Sequence, residues 1–86
     1  MSQKSYYTIN STMRRKEAAD SFNISIDTFD RLIKKGLITK PFNMTGQNVF
    51  LWLVCELEAV FNARVAGHSD TQIKRMVAAL ERKRII

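Results

Sequence analysis

The chain holds one cysteine, one histidine and one proline in 86 residues. A single thiol cannot close an internal disulfide, and no Cys/His cluster offers metal-ligand spacing. Cys55 has no evident partner histidine, so it reads as a small buried residue rather than a nucleophile. Glu56 and Glu58 have no second acid/base group implied nearby, so they read as solvated or paired helix residues. Nothing therefore supports an enzyme or a bound cofactor. Long apolar runs are also missing. The longest, Val49 to Cys55, is too short to span a bilayer. No charged-then-apolar opening reads as a signal peptide. These absences point to a reducing, cytoplasmic setting with no membrane partner.

Negative charge is scarce as well. Eight Asp+Glu face 14 Lys+Arg, a net charge of +6. That balance favours a polyanionic partner, but a small basic protein can simply be soluble, so charge alone decides nothing. A hydrophobic content of 45% is that of a globular chain. At this length one small domain is expected, with a modest core and stability that leans on helix packing or self-association.

The best-marked stretch is Ile24 to Gly36. Ser25 is a good N-cap, because its hydroxyl can accept from an orphan backbone N–H. Ile24 and Phe29 stand at the two positions of a hydrophobic staple. Asp27 lies in the first turn and Lys34 and Lys35 in the last, each where the helix dipole favours its sign. Gly36 supplies a left-handed stop. Phe29, Leu32 and Ile33 form one narrow apolar stripe, leaving Asp27, Thr28, Asp30, Arg31 and Lys34 outward. A short helix with such a polar face suits insertion into a DNA groove.

The segments around it are read in the same way. Residues 1–11 form a loose polar arm, with Tyr6, Tyr7 and Ile9 as its sizeable apolar groups. A helix begins at Thr12 or Arg14 and runs to about Phe22, burying Ala18, Ala19 and Phe22. Arg14, Arg15 and Lys16 at its start oppose the helix dipole, a cost of about 0.3 kcal/mol or more that phosphate contact explains. Ser21 to Asn23 links the two helices tightly. Pro41 then forbids a regular helix. Ile38, Lys40, Phe42 and Met44 can pair with Val49, Phe50 and Leu51 as a hairpin, turning at Gly46. Lys40, Asn43, Thr45, Gln47 and Asn48 fall on or near its tip, where they can bond phosphate or groove edges, although such residues are common in ordinary turns. A third helix is expected over Trp52 to Ala66, with Leu53, Leu57, Val60, Phe61 and Val65 on its apolar face. Ser69 and Gln72 make a capping box for a fourth helix reaching toward Ile85. Its stripe of Ile73, Met76, Val77 and Leu80 covers the third helix or a second copy, and periodicity does not separate the two. Lys74, Arg75, Arg82, Lys83 and Arg84 are expected to face outward.

The ordered series Lys16-Glu17-Ala18-Ala19, Ile24-Ser25, Thr28-Phe29, Arg31-Leu32-Ile33-Lys34, Gly36, Lys40-Pro41, Trp52-Leu53, Glu56-Leu57 and Ala63-Arg64 resembles the AlpA-type regulators and excisionases. The resemblance spans roughly residues 13 to 65. It implies a mainly α fold, a winged helix-turn-helix similar to that of MerR proteins, over residues 12–66. Residues 67–86 then form a C-terminal helix for packing or self-association. By position, Asp27, Thr28 and Arg31 take the places that face the major groove. Where many relatives carry Arg before the second wing strand, this chain has Gln47 or Asn48.

The resulting expectation is a DNA-binding, nucleoid-associated protein. In one role it binds and bends attachment-site DNA and directs an integrase toward excision. In another it regulates an integrase or excisionase promoter. A protein-interaction adaptor that does not touch DNA is the alternative from another class. Arg14, Arg15, Lys16, Lys34, Lys35 and Lys40 are the expected backbone contacts. Double-stranded DNA is the expected partner, with integrase and neighbouring copies of the chain as further ones.

Overall fold

Good caps and left-handed stops punctuate the chain, and the helices form between them. A computed structural model describes residues 11–84. The element order is β1 (Thr12–Met13), α1 (Arg15–Ser21), α2 (Ile26–Lys34), β2 (Phe42–Asn43), β3 (Phe50–Leu53), α3 (Val54–Val65) and α4 (Asp70–Arg82). The fold is mainly helical, with a small three-stranded antiparallel sheet ordered β1-β3-β2. The reading of an N-terminal arm falls on residues 1–10, outside the described residues.

Three of the helices stop in the same way. After α1, the Asn23 N–H reaches Asp20 O at 2.9 Å and the Ile24 N–H reaches Ala19 O at 3.2 Å. Asn23 takes φ 63°, a conformation its short polar side chain tolerates. After α2, Gly36 at φ 78° sends its N–H to Ile33 O, and the Leu37 N–H reaches Leu32 O. Gly67 and His68 repeat the pattern after α3. Each motif satisfies terminal carbonyls and turns the chain sharply. The starts are equally marked. The Ser25 hydroxyl accepts from the Thr28 N–H, and Ser69 and Gln72 complete the expected capping box. At α1 the Glu17 carboxylate accepts from the Arg14 N–H at 2.9 Å. The Arg14 guanidinium has no acceptor with which to reciprocate.

The expected hairpin is present, with Phe42 opposite Leu51 and Asn43 opposite Phe50. Its strands are shorter than the pattern suggested, because Lys40 lies before β2 and Met44 in the turn. Thr12 and Met13 are not the start of a helix. They pair with Leu53 and Trp52. Trp52 therefore belongs to the central strand and not to α3. Extended backbone there is held from both sides, and the Trp52 indole N–H donates to Thr39 O at 3.0 Å. Two of the sheet's residues, Trp52 and Leu53, are thus supplied by a segment whose apolar spacing resembles a helix.

The core gathers Ala18, Ala19, Phe29, Leu37, Ile38, Trp52, Leu57, Val60, Ala63, Ile73 and Val77. Burying aromatic area dominates its energetics. Phe29 meets Trp52 edge-on at 5.2 Å between ring centroids, and Phe22 bridges Phe29 to Phe61. The fourth helix covers the third within the same chain, through Ile73 and Val77. Phe61 and Val65, expected on the buried face of α3, are exposed at 49% and 73%. Cys55, expected to be buried, is exposed. The face of α3 turned inward is Glu56, Leu57, Val60 and Ala63, and it packs against α4 and β3.

Glu56 is the exception among the acids. It is buried in α3, and Arg84, expected to face outward, turns in to meet it. The Arg84 Nε donates to Glu56 Oε2 at 2.9 Å, Nη2 donates to Glu56 Oε1, and Nη2 also donates to Lys40 O at 2.6 Å. The Lys40 N–H donates to Glu81 Oε2 at 2.8 Å. The chain after α4 and the approach to β2 are thereby pinned together.

Candidate nucleic-acid interface

The polar side chains singled out by sequence fall on three elements, and the fold brings two groups of them together. Arg14, Arg15 and Lys16 border an open groove whose other walls are Ile26 at the start of α2, Pro41, and Asn48 and Phe50 of the hairpin. The groove's volume is about 500 Å³. Trp52 forms its floor. Residues separated by more than thirty positions thus share one surface because β3 pairs with β2 while packing beside α1.

On α2 Phe29 is buried, Ile26, Thr28, Asp30, Leu32 and Ile33 are partly buried, and Asp27, Arg31 and Lys34 are exposed, as is Lys35 just after the helix. Asp27, Arg31 and Lys34 stand at i, i+4 and i+7, so they run down one outer stripe. Thr28 is half-buried. Its hydroxyl accepts from the Ser25 hydroxyl at 3.0 Å, which ties it to the cap while its own proton stays available.

Asp30 does not belong to the outer stripe. It turns toward α1 and pairs with Arg15, whose Nε donates to Asp30 Oδ1 at 3.0 Å. The hydrogen bond from Arg15 holds the Asp30 carboxyl below its ordinary value. The same bond, with the charges of Asp30 and Asp27, pushes the Arg15 guanidinium up. Arg15 therefore locks the two helices and neutralises acid beside the polar face of α2. Lys16 is paired with Asp20, one turn on in α1, at 3.0 Å. Among the described residues, no ion pair engages Arg14, Arg31, Lys34, Lys35 or Lys40.

At the hairpin, Gln47 and Asn48 are exposed. Asn43 is occupied internally. Its Oδ1 accepts from the N–H groups of Thr45 and Gly46, and its Nδ2 donates to Gln47 O at 2.7 Å. The turn is thus preorganised by a side chain the sequence offered as a tip contact. Two exposed apolar residues, Met44 at 60% and Phe50 at 43%, were not among the candidates. Phe50 stands opposite Asn43 and shares its strand face with Trp52, so alternation alone does not mark it as exposed; it lies at the outer end of β3, on the wall of the groove above Trp52.

The arrangement offers a cationic and hydrogen-bonding surface. Among the described residues, no group of three or more His, Cys, Asp or Glu is placed to hold a metal, and no helix is long and apolar enough to cross a membrane. No family model, no curated protein and no solved structure matches this chain.

Proposed function

We propose that this protein binds double-stranded DNA with sequence preference, through a winged helix-turn-helix in which α2 is the reader and the β2–β3 hairpin the wing. One observation carries the proposal. The cations at the start of α1, the first turn of α2 and the hairpin border a single groove, beside an outer stripe of α2 rich in hydrogen-bonding groups. A duplex presents phosphates on either side of the major groove, so a reader flanked by cations matches its layout. Arg14, Lys34, Lys35 and Lys40 then meet phosphates. Asp27, Thr28 and Arg31 face base edges, where Arg pairs with guanine and Asp accepts from cytosine. The Arg15–Asp30 pair sets the spacing of the two helices rather than contacting phosphate.

The role in the cell follows from the resemblance to excisionases: binding and bending attachment-site DNA to direct an integrase, with no chemistry of its own. A transcription regulator at an integrase or excisionase promoter would use the same surface. A protein-interaction adaptor is supported by a different place, the groove of Met13, Phe22, Val54, Leu57 and Phe61 on the α1–α3 side.

Binding to attachment-region and promoter duplexes, measured by gel shift with random-sequence competitor, tests the proposal. Stepwise, competitor-resistant complexes whose mobility depends on site position support the excisionase role. Competitor-resistant binding confined to a promoter supports the regulator. Absence of any complex at low salt transfers the reading to the adaptor.

A further inference from the structure

A second basic surface lies at the opposite end of α2, where Lys74, a residue outside the set of contacts expected from sequence, joins three that belong to it. Lys34 and Lys35, Gly36, Lys40 and Lys74 border one groove of about 290 Å³. The four lysines come from the end of α2, the approach to β2, and α4. All four are exposed, and among the described residues none is in an ion pair. The single carboxylate at the groove, Glu81, accepts from the Lys40 backbone N–H. Four like charges around one concavity repel each other, and nothing in the fold compensates all of them. The dipole of α2 favours Lys34 and Lys35 at its C-terminus. It does not require Lys40, which reaches the groove from a loop.

Lys74 is brought in by backbone geometry. Gly36 has no side chain, and the Lys74 Cγ lies 3.9 Å from where a Cβ would stand. The aliphatic stem of Lys74 thus lies over the glycine that stops α2, and its ammonium is carried to the reader helix. Lys34 belongs both to this groove and to the outer stripe with Asp27 and Arg31. The groove is therefore continuous with the reading face.

We infer that this groove holds the sugar–phosphate backbone of duplex DNA flanking the reader helix, and that Lys74 makes α4 part of the DNA interface. The inference rests on the DNA-binding reading above and extends it to a helix for which sequence suggested only packing or self-association. A phosphodiester is the ligand that four ammonium groups without aromatic platforms recognise, since they supply charge and no base-stacking surface.

The test compares the full chain with Lys74→Gln and, as a control on the same helix, Arg75→Gln. Arg75 is exposed and does not border the groove. Each is titrated onto a mixed-sequence duplex two helical turns long, at several salt concentrations from about 50 mM to about 200 mM. Loss of one phosphate contact makes the slope of log K against log salt shallower by about 0.9. That change is expected for Lys74→Gln and not for Arg75→Gln. An unchanged slope for Lys74→Gln overturns the inference, and a lowered melting temperature with an unchanged slope assigns Lys74 to the end of α2 alone. Equal slope changes in both variants overturn it too, by showing only general charge. A wild-type chain that binds no duplex removes the DNA-binding reading itself, which is a separate result.

Discussion

Replacing Arg84 by alanine would remove the partner of Glu56, the one buried carboxylate among the described residues, and its cost can be worked from the geometry. Glu56 is 2% exposed, and the Arg84 side chain is 20% exposed. Arg84 makes two bonds to Glu56 and one to the Lys40 carbonyl. Breaking a buried pair from one side leaves an uncompensated charge and costs about 3–5 kcal/mol. Arg84 lies just past the end of α4, where water can enter once the guanidinium is gone, so the lower figure of about 3 kcal/mol applies. For a domain of this size that corresponds to a fall in melting temperature of roughly 12–24 °C. Urea unfolding followed by helical circular dichroism gives the value. The fluorescence of Trp52, which is buried against Phe29, gives an independent reading of the same transition. The two probes should coincide, with an unchanged slope against urea. Replacing both members, Glu56→Leu with Arg84→Leu, should cost clearly less than the single change, since no charge is then left unpaired. A loss below about 1 kcal/mol for Arg84→Ala would refute the reasoning and place the pair among ordinary surface bridges.

Thr39 is fully buried, and its hydroxyl has no hydrogen-bond partner among the described residues, so Thr39→Val should leave stability unchanged or raise it by about 1 kcal/mol. A clear drop in the urea midpoint would show that the hydroxyl is satisfied. The Asp30 carboxyl is held below its ordinary value by Arg15, so its contribution to stability is complete above the unfolded value, near pH 4, and disappears as pH falls through the folded value. Asp30→Asn should therefore flatten the acid limb of the stability curve and leave its pH dependence near neutrality alone, as urea midpoints across that range would reveal. Arg31→Ala should weaken binding to preferred sites more than to random duplex, whereas Arg14→Ala should weaken both alike. Equal losses from Arg31→Ala would exclude it from base contact.

The parts of the fold that were legible in sequence are those written in local chemistry. Ser25, Ser69 with Gln72, and Gly36 each act within one helical turn, and each marks the boundary it was expected to mark. The hairpin was legible because Pro41 and Gly46 interrupt an otherwise apolar stretch. Long-range pairings were not legible. Thr12 and Met13 form a strand because Trp52 and Leu53 offer them a free edge, which no local preference in a two-residue segment announces. Trp52 was assigned to a helix because its apolar neighbours fit either periodicity. Arg15–Asp30 and Glu56–Arg84 join residues 15 and 28 positions apart, so their side chains were read as separate surface charges. At the candidate interface, sequence marked the cations of α1 and α2. In the proposed interface the chain's path around Gly36 adds Lys74, and the pairing of Arg15 with Asp30, 15 positions away, was not legible.

Sequence preference on duplex DNA is the central claim, and the ratio of two affinities tests it most directly. Sites would be selected from a random duplex pool, and the best would be compared with random duplex at one salt concentration. Asp27, Thr28 and Arg31 at base edges, each contributing about 1 kcal/mol or more, predict a ratio of about 100-fold or higher. A ratio near one would contradict the account and leave a basic surface that binds DNA through its charge alone.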